Sequence, residues 1–221
     1  MKIIVLMMAL LSLVLMGQRG CIEDPCEQDF AYTARESELS IYGNAGEPCQ
    51  YFDQVSYDEL DLFDEALDDR FDCWEISLAG SSSQKSSLAD QVMVATGEVY
   101  SRAFDDYGSG GSYSWAENQF EVTFALAMET PIEISGSLER VQGSDPAEEL
   151  SVEVLLAEES GVPIFLADEP GTLDYRDTLG PGTYRFAASA YVYADLGAGG
   201  GDAYVSGRAN YNARLEIVCG K

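Results

Sequence analysis

Phe120-Glu121-Val122-Thr123-Phe124-Ala125-Leu126-Ala127-Met128 is the stretch whose reading decides the fold. Phe120, Val122, Phe124, Leu126 and Met128 fall on one face of an extended chain, and Glu121, Thr123 and Ala125 fall on the other. That two-residue period is the signature of a strand with one side in a core. The same pattern recurs outward from it. Pro131 breaks the run, and Ile132, Ile134, Gly136 and Leu138 begin the next one, which ends in the polar loop Gln142-Gly143-Ser144-Asp145-Pro146. Val152, Val154 and Leu156 make another strand, Ile164 to Leu166 a short one, and Thr172 to Leu179 another. After the turn Gly180-Pro181-Gly182, the residues Tyr184, Phe186, Ala188, Ala190 and Val192 share a face opposite Arg185, Ser189, Tyr191 and Tyr193. A glycine-rich loop from Asp195 to Asp202 leads to a last strand with Val205, Ala209, Tyr211, Ala213, Leu215 and Ile217 inward. Strands separated by glycine and proline turns predict an all-β chain, an antiparallel β-sandwich or jelly roll.

Residues 55–221 are therefore read as the sandwich domain. Residues 21–54 hold Pro25, Pro48, Gly43, Gly46 and three cysteines with little sustained periodicity, and are read as a loop-rich segment held by disulfides. Residues 56–70 leave two readings open. Ser56-Tyr57-Asp58-Glu59 has the form of a helix capping box, with Val55 and Leu60 in staple positions and Tyr57, Leu60, Leu67 and Phe71 at helical spacing. Leu60 and Leu62 alternating with acids fit a strand equally.

Lys2 followed by the apolar run Ile3 to Met16 has the length of a secretory leader and is short of a membrane span, so residues 1–20 are read as a signal peptide. Export to the periplasm, the outer cell surface or the extracellular space is the expectation. Gly20 before Cys21 resembles a bacterial lipoprotein cleavage site, whereas Gln18 and Arg19 depart from it; lipidation of Cys21 and plain secretion both remain open. With Cys21 lipidated, Cys26, Cys49, Cys73 and Cys219 form an even set, and local proximity favours Cys26 with Cys49, leaving Cys73 for Cys219. No later run is apolar enough to span a membrane as a helix.

The chain's 221 residues include 39 acids, 12 basic residues and no histidine, for a formal charge of −27. Such a charge opposes binding to nucleic acid or to an anionic membrane face. Without histidine, Ser-His-Asp and Cys-His catalysis and His-ligated zinc are excluded.

Phe63-Asp64-Glu65, Ser82-Ser83-Gln84-Lys85-Ser86-Ser87-Leu88, Ala95-Thr96-Gly97, Ile134-Ser135-Gly136-Ser137-Leu138 and Leu179-Gly180-Pro181-Gly182-Thr183-Tyr184 come in an order that resembles a group of uncharacterised secreted bacterial β-sandwich proteins. Many of these carry a PEP-CTERM sorting tail, where this sequence has Cys219-Gly220-Lys221. The Leu-x-Pro-Gly-x-Tyr element is also similar to one in pre-peptidase C-terminal accessory domains, which are β-sandwiches without activity of their own. The resemblance covers about residues 60–218, carries no catalytic signature, and implies a β-sandwich with a strand at residues 60–70.

Three chemistries are weighed on the residues themselves. Glu59-Leu60-Asp61-Leu62-Phe63-Asp64 is close to the Glu-x-Asp-x-x-Glu strand of laminarinase-like retaining glycosidases, with Glu59 as nucleophile and Asp64 in the final position, one methylene short. The competing reading of these acids is a solvated face. Asp195 and Asp202, flanking the glycine-rich loop, and Asp105 and Asp106 are candidate ligands for a structural calcium ion, against simple solvation. Tyr191, Tyr193 and Tyr204, with Trp115 and its neighbour Tyr113, are candidate platforms for a polysaccharide or a cell-surface protein, against aromatic pairing that serves the sheet alone. Trp74, beside Cys73, is read as core packing. The expectation is thus an exported, non-catalytic module with a structural, adhesive or ligand-binding role, the alternative being a glycoside hydrolase-like jelly roll.

Overall fold

A computed structural model describes residues 28–73, 76–105, 111–143, 147–197 and 203–218. The leader, Cys21, Cys26, Trp74, Asp106, Asp202 and Cys219 lie outside the described residues. In chain order the strands are β1 (Ala31–Asn44), β2 (Gln50–Tyr57), β3 (Phe63–Cys73), β4 (Ile76–Ala89), β5 (Val92–Asp105), β6 (Tyr113–Leu126), β7 (Thr130–Gln142), β8 (Glu149–Glu158), β9 (Pro163–Ala167), β10 (Gly171–Leu179), β11 (Gly182–Asp195) and β12 (Ala203–Ile217). They form two 6-stranded antiparallel sheets: sheet A in the order β2-β1-β6-β11-β8-β9, sheet B in the order β10-β7-β12-β5-β4-β3. This is the antiparallel sandwich that the alternation predicts. Among the described residues no helix is long and apolar enough to cross a membrane.

The inner faces meet in one apolar core, with Leu39, Ile41, Phe120, Phe124 and Phe186 from sheet A against Leu78, Met93, Ile132, Ile134 and Leu215 from sheet B. Tyr211, buried in sheet B, lays its ring over Gly97 on the neighbouring strand: a Cβ there would lie 2.5 Å from the phenol Cζ, so only glycine fits. At Gly136 a φ of +141° combines with the Asn212 carbonyl, 1.8 Å from where a Cβ would be, to exclude any other residue.

Part of the interface is polar. Ser82 Oγ donates to the Glu117 carbonyl (2.7 Å), Asn118 Nδ2 to the Ser83 carbonyl (3.0 Å), and Gln84 Nε2 to Ser37 Oγ (3.0 Å), each bond joining one sheet to the other. Buried Arg35 projects inward from β1 and donates to Ser86 and to the Asp61 carbonyl, while its guanidinium lies 5.5–5.7 Å from the ring centroids of Tyr57, Phe63 and Phe120.

Two features differ from the sequence reading. Much of the stretch read as loop-rich is strand, since residues 31–44 form the interior strand β1 and residues 50–57 the edge strand β2. Its period is masked because the inward series runs Arg35, Ser37, Leu39, Ile41, half of it polar. The disulfide is Cys49 to Cys73, which corrects the expected pairings of Cys26 with Cys49 and of Cys73 with Cys219. Proximity along the chain could not decide, because Cys73 lies 24 residues from Cys49 and Cys26 almost the same distance on the other side. What decides is topology: β2 and β3 are the facing edge strands of the two sheets, and their ends bring the two Cα atoms to 5.9 Å. Residues 56–70 are not helical. β2 ends at Tyr57, residues 58–62 connect, and β3 begins at Phe63.

The opposite pair of edges, β9 and β10, is closed by Phe165 against Tyr175, with ring centroids 4.8 Å apart. Replacing Cys73 with Ser is expected to cost about 3 kcal/mol, the loop-closure value for a bridge of this span, read as a fall in the denaturant midpoint; an unchanged midpoint under oxidising conditions would refute it. The buried Tyr211 hydroxyl has no hydrogen-bond partner among the described residues, so Tyr211→Phe is expected to raise stability by about 1 kcal/mol. A loss of stability in the same denaturation measurement would refute that.

Candidate functional site

The outer face of sheet A carries the richest chemistry. Registers across β2, β1, β6, β11 and β8 set its rows. Phe52, Tyr42, Trp115, Tyr193 and Glu149 lie side by side in one row. Gln50, Asn44, Tyr113 and Asp195 form the row on one side. Gln54, Ser40, Glu117, Tyr191 and Ser151 form the row on the other. The alternation that sends Leu39, Ile41, Ala116 and Val192 into the core sends these residues out.

The rings form a contiguous stripe running across the strands. Tyr42 stacks on Trp115 with centroids 5.9 Å apart at an interplanar angle of 22°. It also contacts Tyr113 (5.7 Å) and Phe52 (6.5 Å), Tyr113 contacts Tyr193 (5.7 Å), and Trp115 contacts Tyr191 (6.4 Å). Phe52 closes the stripe at the sheet edge with 59% of its surface exposed, and the other rings are half-buried by one another. Asn44 Nδ2 donates to the Tyr113 hydroxyl (3.3 Å) and the Tyr193 hydroxyl donates to Asp195 (3.0 Å), which fixes two ring edges. Burial, with Asp195 beside it, pushes the Tyr193 phenol well above its ordinary value. Burial also raises Tyr191, helped by Glu149 and Glu117. Glu117 is itself raised, first by burial and then by Glu38 in the adjoining row, whose carboxylate accepts from Gln54 Nε2 (2.9 Å).

Of the residues singled out in the sequence, Trp115, Tyr191 and Tyr193 are thus brought together, and Tyr113 joins them. Tyr204 is not part of the group. The β11–β12 connection crosses between sheets, so Tyr204 stands on sheet B with its ring 6.5 Å from Phe104. Its outward phase was legible and its sheet was not. Tyr42 and Phe52 were missed, although Leu39-Ser40-Ile41-Tyr42 carries the alternation that would have placed Tyr42 outward.

The carboxylates fall elsewhere. Glu59 and Asp61 lie in the exposed connection between β2 and β3, where their carbonyls accept from Arg35 and the Asp61 carboxylate accepts from Tyr57. Asp64 stands on edge strand β3 in a 2.5 Å ion pair with exposed Lys85. The three acids share no strand face, so the bulged catalytic strand of the glycosidase analogy is not formed. An open depression of about 440 Å³ on sheet B includes Asp64, Glu65, Lys85 and Glu98, but neither Glu59 nor Asp61. The Asp195 carboxylate also accepts from the Gly197 backbone (2.7 Å), closing its own turn. Among the described residues no three Cys, Asp or Glu side chains converge as a metal site.

No family model matches the chain, and no curated protein matches it. Solved structures similar to it include that of the infectious bursal disease virus Gt strain, at 10% identity and a TM-score of 0.29, covering 87% of this chain and 58% of that one. The VP2 subviral particle of the same virus is similar at 8% identity and a TM-score of 0.26, over 86% of this chain and 58% of the other. The chain therefore spans less than two thirds of the length of the structures it matches, and likeness at this level bears on no property of the site.

Glu117 supplies a pH test. Its folded value lies above the ordinary 4.5, so in the window between the two the folded chain holds more of this proton than the unfolded chain. Stability then falls as pH rises through that window and stays lower above it. Glu117→Gln is expected to be more stable than the parent at neutral pH, with the gap closing as pH falls below the ordinary value. Denaturant midpoints compared at neutral and acid pH would show this; a gap independent of pH would refute it.

Proposed function

We propose that the protein is an exported, non-catalytic β-sandwich whose outer sheet-A face binds a polysaccharide. The observation that carries this is the ring stripe of Phe52, Tyr42, Trp115, Tyr113, Tyr191 and Tyr193, which spans four adjacent strands on one open face. Rings of this kind offer apolar faces to the C–H faces of pyranose units, while phenol, amide and carboxylate groups at their margins accept and donate hydrogen bonds to hydroxyls. A stripe that runs across four strands of one sheet face suits an extended chain rather than a single small molecule. Strands spaced at about 4.8 Å hold the platform rigid, so little order has to be imposed when a ligand binds.

Export is supported by the leader-like amino end and by the Cys49–Cys73 bridge, which is suited to an oxidising compartment. The non-catalytic reading is supported by the dispersal of Glu59, Asp61 and Asp64 over a loop and a strand edge.

Retention on immobilised polysaccharides tests the reading. The parent protein is expected to be retained by at least one member of a panel, without release of reducing ends. Trp115→Ala is expected to weaken that retention by about 2 kcal/mol, roughly thirtyfold. Phe52→Ala, at an exposed position, is expected to weaken it less, and Tyr204→Ala to leave it unchanged. Equal losses for Tyr204→Ala and Trp115→Ala would refute the sheet-A site.

A further inference from the structure

We infer that the polysaccharide bound on this face is a cationic one, a polymer of amino sugars with free amines. The inference rests on the platform reading above and adds the charge of the ligand.

The argument comes from which charges share the stripe. Around the rings stand Asp195, Glu149 and Glu117, with Glu38 and Glu153 in the adjoining row of the same face. Not one position in the ring-bearing rows is Lys or Arg. The nearest cation on this face, Arg185, lies further along β11 and is held by Glu121 at 3.3 Å. None of the five acids around the stripe takes part in an ion pair among the described residues, although other acids of this chain do, including Asp64 with Lys85, Glu133 with Arg176 and Glu98 with Arg208. The ion-paired cations among the described residues thus stand away from the rings, and the stripe keeps its negative charge.

That arrangement has a cost in the free protein. Glu117 is partly desolvated by burial and lies diagonally across from Glu38, which pairs with Gln119 on β6, and both effects raise its pKa. A neutral glycan would offer such a charge no more than a hydroxyl hydrogen bond, and an anionic one would be repelled by it. A polymer of protonated amino sugars gains twice. Its ammonium groups reach carboxylates whose repulsion they relieve, and they lie beside the faces of Tyr and Trp rings, which attract cations. Successive residues on one strand face and neighbouring strands put ring and carboxylate one side-chain spacing apart: Trp115 beside Glu117 along β6, Tyr193 beside Glu149 across β11 and β8, and Tyr191 beside Glu117 across β6 and β11. Ring stacking and ammonium pairing are therefore both available to the same sugar unit or to its immediate neighbour.

The test uses the whole protein and three soluble probes of equal length: a β-linked glucosamine oligomer with free amines, its fully N-acetylated counterpart, and a neutral glucose oligomer. Calorimetric titration at mildly acidic pH, where the sugar amines are protonated, and at low salt is expected to give at least tenfold tighter binding of the free-amine oligomer. Rising salt should erode that preference, with little effect on the other two probes. The double variant Glu117→Gln, Glu149→Gln is expected to lose the preference, binding the free-amine and N-acetylated oligomers alike; neither change removes a core contact. An oligolysine of matched charge distinguishes site binding from bulk attraction to an acidic protein, and is expected neither to displace the sugar at matched concentration nor to be weakened by Trp115→Ala. Equal binding of all three sugars, a preference that survives the double variant, or equal competition by oligolysine would overturn the inference while leaving the platform reading standing. Failure of every sugar to bind would overturn both.

Discussion

Everything else in the molecule depends on how the two sheets meet, and that contact is only partly hydrocarbon. Across β1 and β6 on one side and β4 and β5 on the other, buried serine, glutamine, asparagine and arginine side chains reach between the sheets to specific hydrogen-bond partners. Hydrophobic burial alone tolerates sliding, because one methyl group packs much like another. A buried amide does not, since an unmet donor costs about 1–3 kcal/mol. A one-residue slip of β4 would put Lys85 where Gln84 stands and remove three inter-sheet partners together. The polar seam therefore fixes register where small residues would otherwise leave it loose, and register places Tyr42, Trp115 and Tyr193 in one row on the far side of β1, β6 and β11.

The same seam explains which parts of the fold could be read in advance. From β6 onward the inward positions are almost all apolar, so a two-residue period stands out, and the strands observed from β6 to β12 follow the segments expected. β4 was not legible as a strand because its inward series after Ile76 and Leu78 runs Gly80, Ser82, Gln84 and Ser86, and in β5 Gly97 and Ser101 interrupt Met93, Ala95, Val99 and Ala103. β1 was lost for the same reason at Arg35 and Ser37. Hydropathy reports the medium a side chain prefers, and here part of the interior is not apolar. The site was legible to the same extent. Phase along a strand placed Tyr191, Tyr193 and Tyr204 outward, but phase carries no information on sheet membership, and Tyr204 went to the other sheet; Trp115 and Tyr113 stood out only as aromatics beside a glycine-rich loop. The disulfide was likewise a question of which edges face each other, which two nearly equal spacings could not answer.

The acids of this chain are distributed by role. Edge strand β3 carries Asp64, Glu65, Asp68, Asp69 and Asp72 along a backbone that is hydrogen-bonded on one side only, where charge discourages another chain from adding a strand. Glu117 and Asp195, beside the rings of the sheet-A stripe, stand on the interior strands β6 and β11, where no edge needs protecting. Their position beside aromatic rings gives them a local environment unlike that of β3, which is why Glu117 is perturbed.

The two lateral margins of the sandwich are fastened by different means: a covalent bridge joins β2 and β3, and one pair of rings joins β9 to β10. The molecule is thus built like a book bound along one side. β9 spans only Pro163–Ala167, and Val162 and Leu166 beside it are more than half or half exposed, so the unbound margin also has the least to hold it. Local opening is expected to begin there and to stop short of the bridged margin, and the aromatic stripe, which starts at β2 and ends at β11, lies toward the bound side. The aromatic stripe can in this way outlast excursions that part the opposite margin, a form of mechanical insulation that follows from which margin carries the covalent bridge.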